Sequence, residues 1–139
     1  MLETNYIEYS IKILCSILIG FIVGFERQIH SHDAGIKTNI LVAVGSCIFS
    51  IMSYSIGGVD VGRISAQIVT GIGCLGAGCI IKEKKNIRGL TTASILWATS
   101  SLGLCVGFGN YALAFISVFF MQLTLFIIKR VEYLWRKKK

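Results

Sequence analysis

The chain has 139 residues, 54% of them apolar and 15% charged, with no proline and a formal charge of +7. So much apolar surface argues against a water-soluble domain, because a domain this small encloses only about two-thirds of what its unfolded chain exposes. The basic residues gather at the ends of apolar runs and have no array of base-stacking aromatics around them. That distribution points to lipid headgroups rather than nucleic acid.

Five apolar runs follow in chain order: Tyr9 to Phe25, Ile40 to Ile56, Ile64 to Ile81, Ala93 to Phe108 and Tyr111 to Ile128. A hydrocarbon core of about 30 Å takes roughly 17 to 25 helical residues. The expected fold is therefore all-α: a polytopic membrane bundle of about five transmembrane helices, forming a single domain with a basic tail over 129–139. Glu3 and Glu8 precede the first run, where a cleavable secretory signal would be basic, so span 1 is expected to remain.

Basic residues set the expected orientation. Arg27 and Lys37 lie between spans 1 and 2, Lys82, Lys84, Lys85 and Arg88 between spans 3 and 4, and Lys129, Arg130, Arg136, Lys137, Lys138 and Lys139 after span 5. Only Lys12 and Arg63 fall on the other side. The positive-inside rule then puts the N-terminus outside and the C-terminus in the cytoplasm.

The connections carry the remaining charges. In the first, His30 and His32 stand beside Asp33, but an i,i+2 pair points apart on a helix, so a solvated loop is expected rather than a metal site. In the second, Asp60 is placed to favour the start of span 3 and to reach Arg63 three residues on. Lys82 to Gly89 forms a basic turn, after which a threonine, Thr91 or Thr92, can cap span 4. Trp97, about one turn into that span, suits the membrane interface.

Span 3 contains Gly71, Gly73, Gly76 and Gly78, and its first three glycines match a GxGxxG nucleotide fingerprint in form only. A nucleotide site would need a preceding strand and an opening helix, whereas this run lies within one apolar span. Small residues at this density let helices approach closely in lipid, and Gly20 with Gly24 and Gly103 with Gly107 repeat the small-xxx-small spacing. An unwound span 3 lining a polar cavity is the alternative. Gln67, Thr70, Thr91, Thr92, Thr99, Ser100 and Ser101 can supply interhelical hydrogen bonds of about 0.6 to 2 kcal/mol each. Cys15, Cys47, Cys74, Cys79 and Cys105 all lie within spans and have no CxxC pair, so they are expected as small packing residues.

Four ordered blocks resemble the MgtC/SapB family of bacterial membrane proteins. They are Gly24-Phe25-Glu26-Arg27-Gln28, Ala34-Gly35-Ile36-Lys37-Thr38-Asn39, Arg63 through Gly78, and Arg88 through Thr99. The resemblance implies a multi-pass protein of the plasma membrane with a regulatory or accessory role. It also implies a link to growth in low magnesium and to virulence through survival inside host cells. Many members add a cytoplasmic C-terminal domain, which is not expected in these 139 residues. Lys37 and Cys74 stand where the family leads one to expect arginine and a bulkier apolar residue.

Three functions compete on these residues. A non-enzymatic interaction protein, with membrane lipid and either a homo-oligomer or other membrane proteins as partners, suits spans whose centres lack Asp, Glu, Lys and Arg, each of which would cost about 2.5 to 3.5 kcal/mol at mid-bilayer. An ion or small-solute transporter or channel subunit would line its path with Glu26, Arg27, Gln67, Thr70 and the span 3 backbone. An enzyme is disfavoured, since the sequence offers no nucleophile with a base, no HExxH and no paired interior carboxylates. No cofactor, metal or catalytic residue is expected. The candidate functional set is Glu26, Arg27, Lys37, Arg63, Gln67 and Arg88, polar groups near helix ends for which topology and capping are the competing explanation.

Overall fold

The computed structural model describes residues 6–30, 33–55, 61–83 and 86–137. The elements in order are α1 (Tyr6–Ile29), α2 (Ile36–Ser55), α3 (Val61–Gly78), β1 (Ile81–Glu83), β2 (Asn86–Arg88), α4 (Leu90–Gly107) and α5 (Tyr111–Arg136). The five helices correspond to the five apolar runs. Four of them, α1, α2, α4 and α5, are long and apolar enough to cross a membrane. α3 has 18 residues, and Arg63 and Gln67 in its first two turns lower its apolar character.

Packing centres on α2, which meets α1 and α4 more extensively than any other helices meet. Glycine makes this possible. A Cβ on Gly20 would sit 2.6 Å from Ile40 Cα, and one on Gly24 2.5 Å from Ile36 Cα. On the other flank, a Cβ on Gly103 would lie 2.3 Å from the Ala43 carbonyl oxygen, and one on Gly107 2.4 Å from Ser50 Cβ. Each i,i+4 pair thus brings one backbone against another, the geometry by which helices associate in lipid without a hydrophobic driving force. The pairings also fix direction: α1 runs antiparallel to α2, and α4 runs parallel to it.

Between these three helices lies the apolar core of Ile19, Val23, Cys47, Ile95, Leu102 and Val106, extended by Ala114 and Val118 of α5. α5 follows α4 after three residues because Gly109 adopts φ 80°, with Gly109 N–H donating to the Val106 carbonyl at 2.9 Å and Asn110 N–H to that of Cys105 at 2.8 Å. This is a Schellman closure of α4, and it reverses the chain with no loop.

Three expectations need correction. The basic turn after α3 is an antiparallel hairpin pairing Ile81 with Arg88, Lys82 with Ile87 and Glu83 with Asn86. The alternation Ile81, Glu83 against Lys82 is a strand period, and Gly89 at φ 87° turns the chain back into α4. No threonine caps α4; Gly89 occupies the cap without a side-chain bond, and Thr92 is engaged elsewhere. Finally, Gly71, Gly73 and Gly78 have open space where a Cβ would be, and Gly76 makes only ordinary contact with Ala93 at 3.5 Å. Within one chain, then, the small-residue face of α3 does not draw a helix close.

Candidate functional site

The Gly20–Gly24 crossing brings the end of α1 against the start of α2, and from there two adjacent residues of α1 reach in different directions. Arg27 turns inward and is 3% exposed, and its Nη2 donates to Thr92 Oγ1 on the first turn of α4 at 2.9 Å. Glu26 turns toward α5, where Oε1 accepts from Lys129 Nζ and lies 3.4 Å from His30 Nδ1. Lower on the same face, Gln122 Nε2 donates to the Ile22 carbonyl at 3.2 Å. These contacts gather the end of α1, the start of α4 and the end of α5 at one end of the bundle. The hairpin leads directly into that start of α4, so Arg27, Lys37, Lys82, Arg88, Lys129 and Arg130 share this end.

A buried polar seam runs from this cluster into the bundle. Asn39, fully buried on the first turn of α2, donates through Nδ2 to the carbonyls of Ala34 at 3.0 Å and Gly35 at 2.9 Å. Its Oδ1 accepts from Thr99 Oγ1 at 3.1 Å, a hydroxyl that also lies 2.8 Å from the Ile95 carbonyl. Deeper, the hydroxyls of Ser46 and Ser100 bond at 2.7 Å, and Ser50 donates to the Ser46 carbonyl at 2.7 Å. These groups satisfy one another, as polar groups out of reach of water must. Among the described residues three buried polar atoms have no partner: Glu26 Oε2, Arg27 Nε and Ser65 Oγ. Asp33 is close enough to act electrostatically on Arg27, although no ion pair joins them.

The six residues singled out from sequence therefore do not form one site. Glu26 and Arg27 anchor the cluster. Lys37, Arg63, Gln67 and Arg88 are exposed on α2, α3 and β2. Gln67 faces a groove of about 410 Å³ between α2 and α3, lined also by Leu41, Gly45, Phe49, Gly71 and Leu75, with Ser46 and Ser100 at its edge. Asn39, Thr92, Thr99 and Lys129 lie outside that set, yet they hold the cluster and seam together. Their signal is weak: Asn39 directly precedes the second apolar run and Thr99 lies within the fourth, and polar groups so placed in lipid ask for a partner. The Asp60–Arg63 pairing and the His30–His32 arrangement involve Asp60 and His32, which lie outside the described residues. Among the described residues no group of three His, Cys, Asp or Glu side chains is placed to hold a metal ion. Cys15, Cys47 and Cys105 pack in or against the core, whereas Cys74 is exposed on α3.

A helical bundle of apolar spans with most of its basic residues drawn to one end and most of its interior polar groups paired defines a multi-pass membrane protein. The MgtC family profile matches residues 13–134, and the chain belongs to the MgtC family. It is 44% identical to Protein MgtC of Salmonella typhimurium LT2 over 103 residues, 74% of this chain and 45% of that protein. Protein MgtC of Brucella abortus 2308 is 45% identical over 105 residues, 75% of this chain and 44% of the relative. YhiD of Escherichia coli K12, whose name proposes a magnesium transporter, is 38% identical over 115 residues, 76% of this chain and 54% of the relative. The chain thus spans about half the length of the curated relatives it matches. No solved structure matches it.

Proposed function

We propose that this chain is a non-enzymatic accessory protein of the bacterial plasma membrane, acting by docking α3 against a transmembrane helix of a second copy or of another membrane protein. The observation that carries this reading is the open face of α3. A Cβ at Gly71, seven residues from Gly78 on the same side of the helix, would meet nothing within 4 Å, nor would one at Gly78, and the groove beside Gly71 is lined mainly by apolar residues of α2 and α3. Glycines that let a helix approach within backbone distance, left unoccupied, suit a partner helix better than lipid. The proposed orientation keeps the charged end in the cytoplasm and the N-terminus outside. In this reading its role would be in growth in low magnesium and survival in host cells, as the resemblance noted in the sequence implies.

Cys74 lies exposed on this helix and provides a native handle. Oxidative or bifunctional crosslinking in intact membranes is expected to trap a specific adduct, identified by mass spectrometry, and Gly71→Leu to remove it while membrane levels hold. A protein that stays monomeric and uncrosslinked in native membranes would sink the idea. The transporter reading rests on the name of the Escherichia coli relative and on the polar seam running from Asn39 to Ser50. Liposomes containing the chain and passing Mg2+ faster than empty vesicles would favour it instead.

A further inference from the structure

A second cavity lies on the opposite flank, between the last turns of α1 and the cytoplasmic part of α5. Its volume is about 480 Å³, within the range of about 300 to 1,000 Å³ common for small-molecule sites. Lys129, Arg130 and Tyr133 line it above Phe126, facing Glu26 and His30 across the gap. Resting on the membrane placement proposed above, we propose that this cavity seats the phosphate of an anionic glycerophospholipid, its acyl chain lying along α5.

Charge favours an anion. Glu26 is the only carboxylate lining the cavity and is engaged by Lys129, while Arg130 has no ion pair or hydrogen bond among the described residues. Lys129, Arg130 and Glu26 together leave one net positive charge, and Glu132, the single acidic residue of α5, does not line the space. Lys129 retains donors beyond the one given to Glu26, and the Arg130 fork matches phosphate oxygens in pairs.

Depth favours a lipid over free phosphate. The charged positions follow directly on the apolar run ending at Ile128, where headgroups meet hydrocarbon, and Tyr133 and Trp135 suit that interface. Along the same stripe of α5, Phe119 and Phe126 are exposed at helical spacing. α5 turns a different stripe, Ala114, Val118, Met121 and Leu125, to the bundle and touches α1 only sparsely. A phosphate bound between Lys129 and Arg130 would therefore have a ready surface for its chain. Basic clefts between helices on the cytoplasmic side are where anionic headgroups lodge.

Native mass spectrometry of the purified full chain, released from nanodiscs holding equal phosphatidylglycerol and phosphatidylcholine, tests this. The wild type is expected to retain phosphatidylglycerol preferentially, and Arg130→Gln to weaken that retention about fivefold. Lys82→Gln removes the same charge from the hairpin at the same end of the bundle and is expected to change nothing. Equal losses in the two variants would mean diffuse attraction and overturn the site. So would equal retention of both lipids, or inorganic phosphate binding without lipid retention. Because Arg130 holds no other element, its variant should fold; an unchanged melting temperature verifies this. The Cys74 adduct is read separately, so failure here leaves the docking of α3 standing, and loss of that adduct leaves the lipid site standing.

Discussion

α2 and α3 are neighbours of similar length, and both meet α4, yet they are held in opposite ways. α2 is clasped on two sides by glycine pairs that bring α1 and α4 to its backbone. α3 carries more glycines than any other helix, and three of them face open space. The same residue type at nearly the same spacing therefore serves internal packing in one place and leaves a surface unfilled in the other. Glycine permits close approach, but whether a helix arrives depends on the connections that bring one there.

The sharpest break of this comparison is a large side chain at equivalent glycines. Gly24→Leu must push apart backbones that would meet its Cβ at 2.5 Å. It is expected to destabilise by about 3 kcal/mol or more, or to abolish the folded bundle. Gly71→Leu should leave monomer stability within about 0.5 kcal/mol. SDS-induced unfolding of the detergent-purified protein measures both, and equal losses would show α3 to be packed as tightly as α2.

Asn39→Ala comes next. It strips donors from the carbonyls of Ala34 and Gly35 and removes the α2–α4 bond to Thr99, whose hydroxyl keeps only the Ile95 carbonyl, for an expected loss of about 1 to 3 kcal/mol in the same titration. Lys129→Gln, which releases a partly exposed pair, should cost under about 1 kcal/mol and become less costly as salt rises. Ser100→Ala, removing the bond to Ser46, should cost about 0.6 kcal/mol. Gly73→Ala is the smallest: with nothing near its Cβ, stability should stay within about 0.5 kcal/mol or rise slightly through better helix propensity.

Much of the bundle is legible in the residues alone. Apolar run length and the placement of Lys and Arg predict five helices and gather most of the basic residues at one end, because lipid penalises an unpaired backbone and an exposed charge wherever they occur. The pairs Gly20 with Gly24 and Gly103 with Gly107 show their role through spacing. What spacing cannot supply is the partner: nothing in Gly71 to Gly78 distinguishes an occupied face from an empty one. Nor does the sequence separate Glu26 from Arg27. Neighbours on a helix point about 100° apart, so one meets α5 and the other α4, and a set chosen for charge splits into two environments. The hairpin at Ile81 to Arg88 is hidden because its strand period is only three residues long on each side, too short to stand out beside a charge run.

Glu26 and Lys129 are 103 residues apart. During synthesis the glycine contacts between α1 and α2 can close once the second helix has emerged, whereas the clasp on Glu26 waits until α5 has left the ribosome. Until then a carboxylate at the membrane edge is without its permanent cation, and the cleft beside it stands open. The early bundle is therefore assembled by shape and finished by charge, with α5 closing it last.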